Sequence, residues 1–292
     1  LGSSLAFAVA SRHAGAQSLN QFRLYAALPM LASVSLFATG AAWPVEAGWQ
    51  RLSMLAASGL VGLVLGDFGY FHALATVGPR LASVVMALWP VCVVGLEAIC
   101  GAAPTGGQAA GVALTIVGVT LVLLRSRGGA WRPDLTRRQW ALGVAGGLLG
   151  AAGQAVGFVM ARSAMLPAAD VPAGLDPLLA TTVRMVAATV GMQVVVSVQG
   201  RSFAMRQIWS SRRSLGSAWI GALFGPVLGV WLSMVAGAYA RDAGVAAALM
   251  STTPVFMLPV AVWLYGTRVS AVVVFGTFLT VAGVAVCFIL GG

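Results

Sequence analysis

Long apolar runs separated by short polar connections occupy almost the whole chain. A membrane-spanning helix takes about 20 mostly apolar residues. Nine runs reach that length, at residues 21–39, 53–76, 80–100, 107–125, 140–163, 177–198, 215–239, 244–265 and 270–290. The apolar stretch 1–13 is shorter, and we interpret it as a first helix that is truncated in the given chain. The pattern predicts an all-α membrane protein with ten transmembrane helices.

Composition narrows the class of protein further. Of the 292 residues, 59% are hydrophobic and only 8% are charged, whereas a soluble domain carries about a quarter charged residues. This excludes an ordinary soluble enzyme, a disordered chain and a disulfide scaffold. The net charge of +10 does not indicate nucleic-acid binding, because the basic residues are scattered between apolar runs. We expect an integral protein of a bacterial inner (plasma) membrane, with the lipid bilayer as its partner.

The two halves of the chain resemble each other. The spacing between equivalent residues grows from 161 to 165 along the chain, as short insertions in the connections would produce. The matched positions are Arg23 with Arg184, Gly62 and Gly66 with Gly225 and Gly229, Met86 and Pro90 with Met250 and Pro254, and Gly111, Thr115 and Gly118 with Gly276, Thr280 and Gly283. Chance similarity between helices rich in small residues does not readily explain so many matches in the same order.

An odd number of helices in each half has a topological consequence. We divide the chain into a first five-helix repeat at 1–125, a basic connecting loop at 126–139 and a second five-helix repeat at 140–292. Five spans place the second repeat upside down relative to the first. Such inverted repeats are typical of secondary transporters, where they open a central site to alternate sides of the membrane.

The order of short motifs is similar to that of a known family. The first half contains GDFGYFHAL at 66–74, VGPRLAS at 77–83 and LWP at 88–90, and the second contains AAALMSTTPV at 246–255 and LYG at 264–266. Together with the repeated glycines, these resemble two EamA-type repeats of the drug/metabolite transporter superfamily. The resemblance implies ten helices, no ATP-binding domain and export of small metabolites, amino acids or drugs. The Gly-Glu that often follows the proline helix in such repeats is missing, because Gly101-Ala102 and Gly266-Thr267 stand there.

Arginine distribution predicts an orientation. Most arginines lie in the connections after odd-numbered helices, above all 126–139 and 199–214. The positive-inside rule places these connections in the cytoplasm and both termini outside. The family resemblance implies cytoplasmic termini instead, so the orientation stays open at this point.

Prolines and glycines within the runs suggest where the helices bend and pack. Pro90 and Pro254 each remove a backbone donor and free a carbonyl, that of Met86 or Met250. We interpret them as kinks that line a midplane cavity, with a purely shape-determining kink as the alternative. Run 140–163 contains Gly143, Gly146, Gly147, Gly150, Gly153 and Gly157. Its GxxxG spacing predicts close backbone contact with another helix, either as plain packing or as a sliding surface.

Ionisable residues within apolar runs are candidates for function. Asp67 either binds a substrate amine or carries a proton, or it forms a structural salt bridge with an arginine. Arg23 and Arg184 are interpreted as interfacial anchors, with binding of a substrate carboxylate as the alternative. The candidate binding or cavity residues are Asp67, Tyr70, Met86, Trp89, Pro90, Gln154, Trp231, Met250, Ser251, Thr252 and Pro254.

The sequence thus predicts a secondary transporter that exports small organic solutes, amino acids or related metabolites, by alternating access. The alternative is a multidrug/proton antiporter for lipophilic compounds. A membrane-embedded enzyme is a remote alternative, because His13 and His72 are the only histidines and lie far apart, without an HExxH motif. We expect no cofactor, no metal and no catalytic residues. A monomer is expected, with a dimer as the open alternative.

Overall fold

A computed structural model describes residues 2–101, 103–125, 135–167, 171–201, 203, 205–209, 212–239 and 270–289, with the backbone alone described for 2–16, 207, 213–214 and 288. This part of the chain is helical. Seven of its helical stretches are long and apolar enough to cross a membrane: Gln17–Thr39, Trp49–Thr76, Pro79–Ile99, Gly106–Arg125, Arg137–Met165, Pro177–Val198 and Leu215–Tyr239. A shorter apolar helix covers Ala271–Cys287.

The helices follow the apolar runs closely. They are α1 Gly2–Thr39, α2 Trp49–Gly59, α3 Asp67–Thr76, α4 Pro79–Met86, α5 Trp89–Ile99, α6 Gly106–Arg125, α7 Arg137–Met165, α8 Pro177–Val198, α9 Arg206–Trp209, α10 Arg212–Ala222, α11 Trp231–Tyr239 and α12 Ala271–Ile289. The run 244–265 lies outside the described residues. An all-helical chain with long apolar helices agrees with the predicted membrane-protein class.

The beginning of the chain differs from the prediction. The stretch 1–13 and the run 21–39 were expected to be separate helices, but α1 continues through both without interruption. Residues 14–20 contain no proline and consist mainly of Ala, Gln, Ser and Leu, which a helix accommodates at little cost. The predicted helix boundary at this place is therefore wrong.

Two π-helical segments occur in the described chain, and they lie at equivalent places in the two sequence repeats. Leu60–Gly66 joins α2 to α3, and Leu223–Val230 joins α10 to α11. Their first residues are separated by the same 163 positions that separate Gly62 from Gly225. π-Helical turns are rare and are often found at functional sites. The wide turn is therefore a feature that both repeats share.

The helix that contains Pro90 is interrupted as the sequence predicts. α4 ends at Met86, and α5 begins at Trp89 with the buried Pro90 in its first turn. The backbone N–H of Cys92 donates to the carbonyl of Leu88 at 3.0 Å and so starts the new helix. A proline has no N–H to donate, and its ring clashes with the backbone carbonyl of the preceding helical turn. The equivalent Pro254 lies outside the described residues.

The helices that end the two sequence repeats, α6 and α12, run antiparallel with reciprocal contacts. A Cβ atom built on Gly118 would lie 2.5 Å from the amide nitrogen of Thr280, and one built on Gly283 would lie 2.5 Å from that of Thr115. These are repeat-equivalent pairs, so each contact is the mirror of the other. Reciprocal contacts of this kind are the mark of a two-fold relationship.

A second pair of repeat-equivalent helices, α1 and α8, is also antiparallel. Gln17 donates to Gln199 at 2.6 Å, Gln21 donates to Gln193 at 2.9 Å, and the hydroxyls of Ser35 and Thr182 lie 2.9 Å apart. As the residue number rises along α1, that of its partner on α8 falls. Side-chain hydrogen bonds between helices are one means of holding helices together in lipid.

Glycines join α7 to the first π-helical segment and α3. A Cβ built on Gly153 would lie 2.7 Å from the Cα of Gly66, and one built on Gly69 would lie 2.5 Å from the carbonyl oxygen of Gly146. No side chain fits between backbones at this separation, so the predicted close contact along α7 is confirmed. The glycines bring the neighbouring Gln154 directly against the end of the π-helical segment.

Candidate functional site

A buried ion pair lies where the first π-helical segment passes into α3. Arg23 of α1 donates to one carboxylate oxygen of Asp67, and Gln154 of α7 donates to the other at 2.8 Å. Arg23 is 3% exposed and Asp67 is 5% exposed. Asp67 lies nine residues before the end of α3, which corresponds to about 14 Å and so to about half the hydrocarbon thickness. The site therefore combines residues from three helices deep within the spans.

The π-helical segment itself contributes backbone carbonyl groups to this site. Asn20 donates to the carbonyl of Leu63 at 3.3 Å, and Arg23 donates to the same oxygen at 3.4 Å. Gln154 reaches the carbonyl of Gly62 at 3.5 Å. The side chain of Asn20 in turn accepts from Nε of Arg23 at 2.9 Å. The guanidinium of Arg23 is thus held by a carboxylate, an amide and a backbone oxygen.

Arg184, the repeat mate of Arg23, lies at the same junction from the side of α8. It is 2% exposed and ranks among the largest fully buried side chains. Its Nη2 would lie 3.3 Å from a Cβ built on Gly62, and its charge attracts the carboxylate of Asp67. Two buried guanidinium groups therefore lie around this junction, and among the described residues the ion pair with Asp67 is formed by Arg23.

The two arginines face repeat-equivalent neighbours. The guanidinium of Arg23 lies 5.0 Å from the centre of the Phe71 ring, and Nη1 of Arg184 lies 2.9 Å from the sulfur of Met234. Phe71 and Met234 are separated by 163 positions, as the two π-helical segments are. The same spacing places Val230 where the first repeat has Asp67. The second half thus reproduces the arginine and its apolar neighbour but replaces the acid by an aliphatic residue.

The structure bears on the interpretations of these charged residues. Asp67 forms the salt bridge with an arginine that the sequence left as an alternative. The interpretation of Arg23 and Arg184 as interfacial anchors is wrong, because both side chains are buried among the helices. An arginine near the end of an apolar run is compatible with either position, and only the packing of the helices decides which face it occupies.

The remaining candidate residues that the structure describes lie in three other places. Tyr70 and Met86 meet at Gly150, where a Cβ would lie 3.2 Å from Cβ of Tyr70 and 3.1 Å from the sulfur of Met86. Trp89 is buried edge-on against Phe158, with ring centres 5.4 Å apart, in an apolar cluster that adjoins the break at Pro90. Trp231 packs partly buried against a cluster on α1 and α8. Met250, Ser251, Thr252 and Pro254 lie outside the described residues.

Sequence reasoning missed one member of the site and misplaced two. Asn20 was not among the candidates, and Arg23 and Arg184 were not included in the cavity set. One signal was present in the sequence: both arginines occupy repeat-equivalent positions within apolar runs, and an intramembrane arginine requires a partner. Of the described residues, no group of three His, Cys, Asp or Glu side chains comes together in a way that would hold a metal ion.

Comparison with known proteins agrees with this architecture. The model of the EamA-like transporter family matches residues 2–124 and 141–289. No curated protein sequence matches the chain. A solved crystal structure is similar in fold, with a TM-score of 0.65 and 22% sequence identity over 100% of this chain and 93% of the other. The chain belongs to the EamA-like transporter family, which is part of the drug/metabolite transporter superfamily.

Proposed function

We propose that the protein is a secondary carrier that exports small organic solutes, amino acids or related metabolites, by alternating access between two inverted sequence repeats. Membership in a transporter family supports the general class. The carrier needs no chemistry on its substrate, and its driving force is the solute gradient or a proton gradient. The bacterial inner membrane is the proposed location.

One observation carries the proposal. Arg23, Asp67 and Arg184 are charged and are buried within the apolar spans, and Arg23 forms an ion pair with Asp67. Charged groups in this position are costly, and in membrane proteins they mark substrate and ion pathways. They also lie beside a π-helical segment whose backbone carbonyls accept side-chain hydrogen bonds, and transporters tolerate irregular backbone where it lines a site.

The antiparallel packing of equivalent helices supports the inverted arrangement. α6 against α12 and α1 against α8 both run in opposite directions, and both pairs join equivalent parts of the two sequence repeats. Two similar bundles of opposite orientation exchange their conformations by rocking about the site between them. This motion exposes the site first to one side of the membrane and then to the other.

The proposal is tested by solute flux in proteoliposomes that contain the purified full chain. A panel of amino acids and lipophilic cations is supplied, each with and without a pH gradient, and protein-free liposomes are the control. We expect saturable flux of at least one amino acid. Flux of lipophilic cations alone, coupled to protons, would instead identify a multidrug antiporter.

Asp67→Asn separates the two possible driving forces. If Asp67 carries the coupled proton, the variant loses the dependence of flux on the pH gradient but keeps exchange between labelled and unlabelled solute. Because the variant leaves Arg23 without its counter-ion, the double variant Arg23→Gln with Asp67→Asn serves as the matched control for folding. Unchanged dependence on the pH gradient in the single variant contradicts a proton role for Asp67.

A further inference from the structure

We propose that Arg184 binds a carboxylate group of the transported solute, and this inference rests on the proposed transport function. The second half of the chain keeps the buried arginine of the first half but not the acid that neutralises it. A solute carboxylate would occupy the electrostatic role that Asp67 has beside Arg23. The solute class is therefore that of amino acids and other small carboxylates.

The balance of charge at the junction is the first argument. Among the described residues, the ion pair of this junction joins Arg23 to Asp67 and leaves out Arg184, and the second oxygen of Asp67 accepts from Gln154. The described residues of the junction thus include two guanidinium groups and one carboxylate, which leaves one positive charge in excess. A buried charge is stable only when it is paired, and an anionic ligand supplies the missing charge.

The hydrogen bonding of Arg184 is the second argument. Within the described part of the chain, its Nε has no hydrogen-bond partner, although the atom is buried. Nη1 contacts the sulfur of Met234 at 2.9 Å, and a thioether is a weak acceptor. By contrast, Nε of Arg23 donates to Asn20 at 2.9 Å. A buried donor that is unsatisfied in a folded protein calls for a specific explanation.

The arrangement of the guanidinium nitrogens suits a carboxylate. Nε and Nη2 lie on one side of a guanidinium, and together they bind a carboxylate through two parallel hydrogen bonds. In this structure Nη2 faces Gly62, where the position of a missing Cβ is 3.3 Å away. A side chain at position 62 would crowd this edge of the guanidinium, and Gly62 has none.

The two residues that hold Arg23 have equivalents in the second half that do not hold Arg184. Asn20 corresponds to Thr181, whose hydroxyl donates to the carbonyl of Pro177 at 2.7 Å within its own helix. Asp67 corresponds to Val230. Neither residue satisfies Arg184. Because Arg184 is 2% exposed, a solute reaches it only after α8 and α11 separate, as alternating access requires.

The test uses the full chain and matched pairs of probes that differ only in the carboxylate. These are L-leucine with L-leucinamide, L-phenylalanine with L-phenylalaninamide and L-threonine with L-threoninamide. Each is measured by the shift it causes in the melting temperature of the detergent-purified protein and by competition for flux in proteoliposomes. We expect at least one amino acid to stabilise the protein at a concentration at least tenfold lower than its amide.

Four variants connect this preference to the residue. Arg184→Met abolishes the preference for the carboxylate, and Arg184→Lys retains part of it. Val230→Asp places an acid at the position equivalent to Asp67 and also abolishes the preference, while the melting temperature without ligand stays equal or rises. Arg51→Met is the control for loss of a buried arginine, because Arg51 donates to the carbonyls of Ala164 and Leu166 away from the junction. This variant keeps the preference.

The outcomes separate this inference from the proposed function. If the protein transports neutral or cationic solutes and Arg184→Met changes nothing, the carrier function stands and the carboxylate site is refuted. If no probe crosses the membrane but amino acids stabilise the protein through Arg184, the site stands and the transport function fails. Equal stabilisation by every amino acid and its amide overturns the inference in either case.

Discussion

The junctions around Arg23 and Arg184 are two versions of one structural unit. Each has a buried arginine and an apolar neighbour of that arginine, Phe71 for Arg23 and Met234 for Arg184. The two arginines lie on α1 and α8, which run antiparallel, and both approach the first π-helical segment. The two junctions differ in charge balance, because Asp67 has no acidic equivalent at Val230.

The difference shows that the repeat determines the backbone geometry of this fold but not the distribution of buried charges. The glycines and the π-helical segments recur in both halves, so they belong to the repeat. The acid occurs once, so it belongs to the function of one half. An ion pair that is complete within the protein contributes to stability, whereas a buried charge without a partner costs about 3 kcal/mol in a membrane and is retained for another reason.

The largest expected effect comes from breaking the neutral junction. Asp67→Leu leaves the guanidinium of Arg23 buried without its counter-ion, and loss of one partner of a buried pair costs about 3–5 kcal/mol. We expect a strongly lowered melting temperature in detergent. Adding Arg23→Met to the same chain should recover most of the loss, because no unpaired charge remains. A double variant as unstable as the single one would show that the ion pair is not what matters.

A smaller effect is expected from separating α7 from the first π-helical segment. Gly153→Ala places a Cβ 2.7 Å from the Cα of Gly66, and overpacking of this kind costs about 1–3 kcal/mol. The contact between Gln154 and Asp67 is disturbed as well. Gly95→Ala in α5 is the matched control, because nothing lies within 4 Å of its Cβ position. It should leave the melting temperature unchanged or raise it slightly.

A comparison of Gly118→Ala with Gly283→Ala tests the two-fold relationship between α6 and α12. Each variant places a Cβ 2.5 Å from the amide nitrogen of an equivalent threonine, Thr280 or Thr115. We expect both to destabilise the protein by about 1–3 kcal/mol and by similar amounts. Thermal melting of the two purified variants measures this. A large effect in one and none in the other would contradict the reciprocal packing of α6 and α12.

The smallest effect is expected at Gln154. Gln154→Leu removes the hydrogen bond to Asp67 at 2.8 Å but leaves every charge in place. Loss of a hydrogen bond to a charged acceptor lowers the stability by about 1–3 kcal/mol. We place it at the lower end of this range because Gln154 is only partly buried. Gln50→Leu, on the exposed start of α2, is the control and should have little effect. Equal melting temperatures for both variants would show that the amide contributes nothing to the junction.

Hydropathy predicts the helices well because membrane spans require continuous apolar sequence. The bounds of α8, Pro177–Val198, agree with the apolar run at 177–198, and the break before Pro90 follows from the missing backbone donor. The junction between the stretch 1–13 and the run 21–39 is not encoded by hydropathy, because weakly polar residues continue a helix as readily as they end it. The prediction of two separate helices failed for this reason.

The side-chain contacts of the site are harder to predict from one sequence. Arg23 and Asp67 are separated by 44 positions, and Gln154 lies 87 positions from Asp67. A hydropathy run gives the depth of a residue but not the face of the helix on which it lies. The π-helical turns add a further difficulty, because their apolar residues fit an ordinary α-helix equally well. The repeat itself is visible in the sequence, and it is what relates Arg184 to Arg23.

The π-helical segments have one more geometric consequence. Successive residues of an α-helix are rotated by about 100° around its axis. If a π-helical turn became α-helical, the residues that follow it would rotate about the helix axis by a comparable angle. For the first segment, the next residue is Asp67. Such a change of pitch would turn its carboxylate away from Arg23. The ion pair of Arg23 with Asp67 therefore depends on the wide turn that precedes Asp67.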